Sequence, residues 1–223
     1  MSRRGSLSAE RQGGEIFLRN RSLYDHRKDH PWLIGALGDP DSGVWFVGEN
    51  PSLRHVERAR HRSGGPPTEN DQWSASRGDK LFRDLLVKHG FKRGSSEAPG
   101  GWQCYITNVI KETDYVATWR RAPAERRLQA IDMWAPVFRW QLESAKPHLV
   151  VALGKTVRAG IHHLAAQGIK FPRVESVQHY SYVAFRPEGK LRPMHPRRVA
   201  EYDREFARIA KLHREMRERR GRD

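Results

Sequence analysis

The sequence has few of the residues that build covalent or metal-centred sites. Its 223 residues include a single cysteine, Cys104, so the chain has neither an internal disulfide nor the four thiolates of a zinc or iron–sulfur site. No apolar run approaches the roughly 20 residues that a membrane span requires. No apolar segment follows the basic N-terminus as it would in a secretory signal. We therefore expect a protein of the reducing cytoplasm, with no metal, no cofactor and no membrane partner.

Acidic side chains are scarce relative to basic ones. The chain has 41 Lys and Arg but only 26 Asp and Glu, which gives a formal net charge of +15. Such an excess attracts polyanions, because each phosphate contacted by a Lys or Arg releases condensed counterions. Nucleic acid is therefore the first partner to consider; a basic surface that serves only solubility is the alternative.

The chain does contain an alternation of strand and helix patterns. Apolar runs predict strands at residues 44–48, 103–111, 148–153 and 174–178, and helical periodicity predicts helices at 79–89, 123–144, 156–166 and 197–220. This alternation is typical of a parallel sheet covered on both faces. We predict an α/β fold, a three-layer α/β/α sandwich with a central, mainly parallel four-stranded sheet. The polar, turn-rich residues 1–40 are predicted to be an N-terminal extension, and residues 41–223 one domain that closes with the basic helix.

Polar side chains follow each predicted strand. Glu49 and Asn50 come after the first strand, Asn108 lies near the end of the second, Lys155 follows the third and His179 follows the fourth. Because the carboxyl ends of parallel strands meet at one edge, we expect these residues to converge in a single crevice. A carboxylate, two amides and an imidazole there can bind a polar planar ligand and stabilise negative charge on it. Each residue alone is more simply a loop residue or helix cap, whereas the ordered set favours a site.

The turn after the third strand has the sequence Gly-Lys-Thr at residues 154–156, like the end of a phosphate-binding P-loop. That loop also requires a glycine five residues earlier, and position 149 is Leu149. We therefore interpret the segment as a strand-to-helix turn that leaves a helix N-terminus available to a phosphate.

These stretches together resemble the uracil-DNA glycosylase superfamily over about residues 41–210. Residues 48–52 (Gly-Glu-Asn-Pro-Ser) are similar to its first motif, Gly-Glu-Ala-Pro-Gly or Gly-x-Asn-Pro-Gly. Residues 105–111 (Tyr-Ile-Thr-Asn-Val-Ile-Lys) resemble the Ile-Thr-Asn-Val-Val-Lys of the bacterial and archaeal iron–sulfur branch. Residues 151–156 (Val-Ala-Leu-Gly-Lys-Thr) are similar to the family's Ala-Leu-Gly-x-Thr, and residues 179–182 (His-Tyr-Ser-Tyr) to its His-Pro-Ser-Tyr.

The chain departs from the family pattern in several places. It lacks the four cysteines of the iron–sulfur branch, so the resemblance implies no cluster, and Glu-Thr-Asp at residues 112–114 replaces that branch's Cys-Arg-Pro. Tyr180 stands where the last motif has Pro, and Ser52 where the first has its second Gly. Residues 118–127 contain no histidine, unlike the matching loop of the branch that traps its product covalently.

The resemblance implies a monofunctional glycosylase of base excision repair. Such enzymes flip a nucleotide out of the DNA and hydrolyse the bond between base and sugar. Asn108 would bond the Watson–Crick edge of the base, Trp73 would cover its face, and Gly48 completes the base-binding set. A tryptophan that only anchors its loop is the alternative for Trp73.

The resemblance also implies the catalytic groups. His179 would donate a hydrogen bond to the departing base, with His195 of a second His-Pro pair as the alternative. Glu49 or Asn50 would position the attacking water, since each matches the first motif of a different branch.

The implied partner is DNA, double- or single-stranded, that contains uracil or another deaminated base. We expect a nucleoid-associated monomer whose Phe185 or Tyr182 fills the gap left by the flipped base. The candidate phosphate contacts are Arg54, Arg58, Lys155, Arg186 and Arg192. Two other functions remain open, a DNA-binding member with weak or no catalysis and an enzyme that acts on free nucleotides.

Overall fold

The computed structural model describes residues 37–50, 76–111, 116–184 and 194–220, and in these it contains one five-stranded sheet. The strands are β1 (Leu37–Gly38), β2 (Val44–Gly48), β3 (Tyr105–Asn108), β4 (Leu149–Leu153) and β5 (Arg173–Val177). Their order is β1-β3-β2-β4-β5, so β2 lies at the centre. The pairs β3–β2, β2–β4 and β4–β5 are parallel, and β1 runs antiparallel to β3.

Six helices lie in the described residues: α1 (Arg77–Lys88), α2 (Val116–Arg121), α3 (Ala124–Ala145), α4 (Lys155–Ala166), α5 (Tyr180–Ala184) and α6 (Pro196–Arg220). The start of α1 is capped by Ser76, whose hydroxyl accepts the N–H of Asp79 at 3.2 Å. The end of α3 is set by Lys146, which adopts a left-handed conformation (φ 52°) just before Pro147. None of these helices is long and apolar enough to cross a membrane.

The sheet is buried on both faces because the side chains of its central strand alternate between two apolar clusters. Trp45 and Val47 belong to a cluster that includes residues of α3 and α4. Val44 and Phe46 belong to a second cluster with residues of α1 and α6, in which the rings of Phe46 and Phe206 are stacked at 5.6 Å. The continuous apolar run in the sequence is thus the pattern of a strand covered on both sides.

The structure confirms the α/β class and the mainly parallel sheet, but the predicted count of four strands is wrong. The fifth strand, β1, pairs Leu37 with Ile106 and Gly38 with Tyr105, inside the segment 1–40 that was predicted to be an extension. Two residues are too short to show a period, and a glycine normally weakens a strand prediction. Here Gly38 is required (φ 93°), because a Cβ at this position would stand 2.3 Å from the carbonyl oxygen of Cys104. The three-layer description and the domain limits of 41–223 stay predictions.

A pair of histidines lies at the amino ends of the parallel strands, away from the edge where the candidate residues gather. His148 precedes β4, and its Nε2 is 2.9 Å from Nδ1 of His213 on α6, with the two rings stacked. Burial, together with nearby positive charge from His148, Arg214 and Arg217, lowers the pKa of His213 to about 4. Burial and the charges of α6 also lower the pKa of His148.

We expect this pair to make the protein sensitive to acid. An unfolded histidine takes up a proton near pH 6.5, whereas folded His213 does so only near pH 4, so its contribution is complete above pH 6.5 and is lost as the pH falls from 6.5 to 4. After allowance for solvent screening at a partly exposed group, the free energy of unfolding should fall by roughly 1–2 kcal/mol. Urea unfolding at pH 7.5 and pH 4.5 measures this loss. His213→Gln should shrink it, and an unchanged loss in that variant would contradict the assignment.

Candidate active site

Gly48 and Asn108 lie side by side where β2 and β3 end. They are register partners in the parallel ladder, and the side chain of Asn108 lies against Gly48. A Cβ at Gly48 would stand 2.4 Å from Oδ1 of Asn108, so no other residue type leaves the amide in this place. Asn108 is 9% exposed. The sheet therefore brings together two of the three predicted base-binding residues.

The segment after β3 also holds the first motif in place. The N–H of Val109 donates to the carbonyl of Gly48 and the N–H of Ile110 to the carbonyl of Glu49, both at 2.9 Å. Glu49 and Asn50 are half-buried, and Oε1 of Glu49 is a buried oxygen with no hydrogen-bond partner in the described part of the chain. Buried carboxylate oxygens are normally paired, because desolvation without a partner is costly. Glu49 therefore carries a buried acceptor directly after Gly48, the register partner of Asn108.

Lys111 supports this corner from inside the protein. Its side chain is buried (2% exposed), and Nζ donates to Oγ1 of Thr107 at 2.7 Å and to the carbonyl of Asn108 at 2.5 Å. The ammonium also lies 5.4 Å from the centre of the Phe138 ring. The sequence showed Lys111 as a motif member without a role. In the structure, the hydrogen bonds of Lys111 hold the backbone of Asn108 in place.

His179 lies at the carboxyl end of β5, against the turn that follows β4. Gly154 adopts φ 96°, and a Cβ there would come within 3.1 Å of the Cβ of His179. The N–H of Gly154 donates to the carbonyl of Val177 at 2.8 Å, which ties this turn to the strand that carries the histidine. The glycine of the Gly-Lys-Thr segment thus makes room for His179, while Lys155 begins α4 as an exposed residue.

Ser181 determines which nitrogen of His179 carries the proton. The backbone N–H of Ser181 lies 3.1 Å from Nδ1 and its hydroxyl lies 2.7 Å from the same atom. A backbone N–H can only donate, so Nδ1 accepts and is unprotonated. In the neutral ring the proton then lies on Nε2. His179 is arranged to donate a hydrogen bond from Nε2.

Tyr180, which replaces the family's proline, connects the histidine to α1. Its ring is stacked on Phe82 at 5.4 Å, and a Cβ at Gly78 would meet its carbonyl oxygen at 2.9 Å. Burial raises the pKa of Tyr180 well above its usual value, and a hydrogen bond and the charge of Asp79 raise it further. The replacement is therefore accommodated by specific contacts. Sequence reasoning missed this link, although Gly78 and Asp79 at the start of a predicted helix were its signal.

The remaining candidates fall into two groups. His195 is exposed just before α6, and its carbonyl accepts the N–H of Val199 at 3.1 Å. Tyr182 is 54% exposed, with the Arg198 guanidinium 4.8 Å from the centre of its ring. The other predicted site residues lie outside the described residues: Arg54, Arg58, Trp73, Phe185, Arg186 and Arg192. Within the described ranges, no group of three or more His, Cys, Asp or Glu side chains could hold a metal ion.

Comparison with known proteins agrees with the resemblance of the motifs. A family model for the uracil DNA glycosylase superfamily matches residues 36–213, a range that contains all five strands and the four strand-end motifs. A search of curated proteins found no significant match. The family match spans far more than half of the chain, and the chain therefore belongs to the uracil-DNA glycosylase superfamily.

Proposed function

We propose that this protein is a monofunctional DNA glycosylase that hydrolyses the N-glycosidic bond of uracil or a related deaminated base in DNA. The observation that carries the proposal is that two groups lie at the same edge of the sheet. One is the Asn108 amide held against Gly48, and the other is a His179 ring whose Nε2 is the donor. The first can bond a pyrimidine edge, and the second can stabilise the charge that the base takes on as it leaves.

Each residue has a definite task in this proposal. The target nucleotide is flipped into the pocket, where Oδ1 of Asn108 accepts the N3–H of uracil and its Nδ2 donates to O4. As the bond between C1′ and the base breaks, the electron pair stays on the base, and Nε2–H of His179 bonds the oxygen that becomes anionic. A water adds to C1′ and loses one proton, which the departing base anion takes up, so that the products are the neutral free base and an abasic sugar. Trp73 is proposed to cover the face of the base.

Glu49 is the stronger candidate for the residue that orients the water. Its buried Oε1 has no partner among the described residues and belongs to the residue after Gly48, the register partner of Asn108, so we propose that it accepts a hydrogen bond from the attacking water. A carboxylate also stabilises the positive charge that develops on the sugar as the base departs. Asn50, which follows it at the end of the same motif, is proposed to assist by contacting the water or the sugar.

The assay that tests this function uses oligonucleotides containing uracil opposite guanine, uracil opposite adenine, or uracil in a single strand. Release of base leaves an abasic site that alkali cleaves, so product appears as a shortened strand. Parallel substrates with hypoxanthine and oxidised pyrimidines identify the preferred base. The absence of product from every uracil substrate would overturn uracil excision.

A second candidate function is DNA binding without catalysis. The altered motifs favour it, because Tyr180 and Ser52 replace residues of the family pattern at both catalytic segments. It predicts DNA affinity that survives in the absence of any abasic product. It also predicts that no cleavage of uracil-containing DNA depends on Asn50 or His179.

DNA binding is proposed to depend on the basic excess of the chain, with Arg54, Arg58, Lys155, Arg186 and Arg192 as phosphate contacts and a monomer as the binding unit. If all five contact phosphates of a duplex, a plot of the logarithm of the association constant for DNA against the logarithm of the salt concentration should have a slope of roughly −4 to −5. Lys155→Ala should reduce the slope by about 1 without changing the preferred base. Affinity that is insensitive to salt would contradict this mode of binding.

Gly48→Ala should impair catalysis more than stability. The added Cβ would displace the end of the Asn108 side chain, which stands 2.4 Å from it, whereas the backbone need not move. We expect base release to slow by about 10-fold and Tm to fall by less than about 5 °C. The control is the same change in an Asn108→Ala protein. There it should have little further effect on rate, and an additive loss would show that Gly48 does not act through Asn108.

A further inference from the structure

The strand that leads to His179 lies at an open edge of the sheet. In the described residues β5 pairs with β4 and with no other strand. The carbonyl of Val177 faces β4, where it accepts the N–H of Gly154 at 2.8 Å. Because successive residues of a strand direct their backbone groups to opposite sides, Ser176 and Gln178 direct theirs away from β4. Such groups need partners from outside the sheet.

Two side chains of α6 supply the partners that a neighbouring strand would have supplied. The guanidinium of Arg208 donates to the carbonyl of Ser176 at 3.1 Å, and the carboxylate of Glu205 accepts the N–H of Gln178 at 2.7 Å. The two side chains are three residues apart and so lie on one face of the helix. Arg208 is itself held by Glu175 of β5 at 2.6 Å. We call this pair, Glu205 and Arg208, the edge clamp.

The bond made by Glu205 is a strong one for an exposed edge. At 2.7 Å the bond from the Gln178 N–H is as short as bonds to a carboxylate usually are. Burial and, to a smaller extent, the charge of Glu201 raise the pKa of the Glu205 carboxyl, while the Gln178 amide and the charge of Arg208 act in the opposite direction. The carboxylate thus lies partly out of water and against the peptide group that precedes the histidine.

We propose that Glu205 is a positioning residue for His179 that acts through the backbone of Gln178. The proposal rests on the proposed glycosylase function. Ser181 sets the tautomer and Gly154 makes room for the Cβ of His179, but neither holds the strand end from its open side. Glu205 does so, one peptide unit before the histidine. A shift of about 1 Å in a catalytic group can cost about 100-fold in rate, so the clamp is expected to affect chemistry rather than DNA binding.

Two substitutions separate the reach of Glu205 from its charge. Glu205→Asp keeps the charge but withdraws the carboxylate by one methylene, and Glu205→Gln keeps an oxygen within reach but removes the charge. Glu201→Gln is the matched control, because Glu201 lies one turn earlier on α6, lines a surface cavity of about 320 Å³ together with Glu205 and Gln178, and pairs with Arg197.

The readouts are the single-turnover rate of uracil release and the Kd for uracil-containing DNA. Glu205→Asp should lower the rate by about 10- to 100-fold with Kd within about twofold of the original protein. Glu205→Gln should keep most of the rate of the original protein, and Glu201→Gln should leave both the rate and Kd unchanged. A normal rate in Glu205→Asp, or equal losses of rate and affinity, would overturn the proposal.

Two measurements stay decisive if the protein releases no base. In ¹H–¹⁵N spectra, Glu205→Asp should shift the resonances of the His179 ring nitrogens and of the Gln178 amide, and Glu201→Gln should not. Unshifted resonances of the His179 nitrogens would overturn the positioning role.

Hydrogen exchange on the unsubstituted protein requires no variant to fold. It should show a protected Gln178 amide despite its place at an open edge, and rapid exchange there would overturn the clamp itself. Failure of the glycosylase assay alone concerns only the proposed function.

Discussion

Replacement of His179 by alanine should slow base release by about 10²- to 10³-fold, with affinity for uracil-containing DNA within about twofold of the original protein. The reason is that the bond from Nε2–H gains strength only as negative charge appears on the departing base. A uracil ring in the ground state is neutral, so loss of the donor removes little binding energy. The measurement is a single-turnover rate with enzyme in excess, alongside Kd from fluorescence anisotropy.

His195→Ala is the matched control for this prediction. His195 is the other histidine that the motifs offered, and it lies exposed before α6, where its side chain suits a phosphate contact. Its loss should weaken binding modestly and spare the chemical step. A larger rate loss in His195→Ala than in His179→Ala would reverse the assignment. Equal losses of rate and affinity in His179→Ala would mean that this histidine binds DNA without assisting departure of the base.

Asn108→Asp should reduce excision of uracil by about 10²- to 10³-fold. The substitution keeps the size and position of the side chain, but it replaces the Nδ2 donor with an oxygen that repels O4 of uracil. The backbone of Asn108 is held in β3 and by Lys111 at its carbonyl, and Gly48 leaves room for the side chain, so we expect the carboxylate to take the place of the amide. The repulsion between this carboxylate and O4 should therefore act against the bound uracil.

The measurement compares kcat/KM for uracil with that for other deaminated bases. Asn50→Ala is the control, because it alters the neighbouring motif without touching the Watson–Crick edge. It should lower the rate for every base in proportion, whereas Asn108→Asp should change the ratio between bases. Unchanged discrimination in Asn108→Asp would show that base identity is recognised elsewhere in the pocket.

The central strands could be predicted from sequence because their signal is local. The run Val-Trp-Phe-Val in β2 is apolar on both sides, and the structure shows its alternate residues in the two clusters. The same locality explains why β1 was missed. Leu37 and Gly38 form a strand only because β3 offers an edge with which they can pair. The carbonyl of Cys104 leaves no space at position 38 for a residue larger than glycine.

The strand-end rule and the motifs identified Asn108 and His179, but not the residues that support them. Glu205 is one of several carboxylates on α6, and only the docking of this helix on β5 shows that it meets the amide of Gln178. Lys111 was visible in the sequence, yet a buried ammonium is so unusual that its role required the structure. Supporting contacts join segments far apart in the chain, so local patterns do not reveal them.

The central position of β2 means that the sheet is completed only through pairings between segments that are distant in the chain. Its two neighbours in the sheet, β3 and β4, both come later in the chain, and β5, which carries the histidine segment, pairs only after β4. Pairings between distant segments are slow to form, because loop closure costs entropy before any contact stabilises it. No early fragment can therefore hold Glu49, Asn108 and His179 together. We therefore expect the candidate site to form late in folding, when α6 docks against the edge of β5.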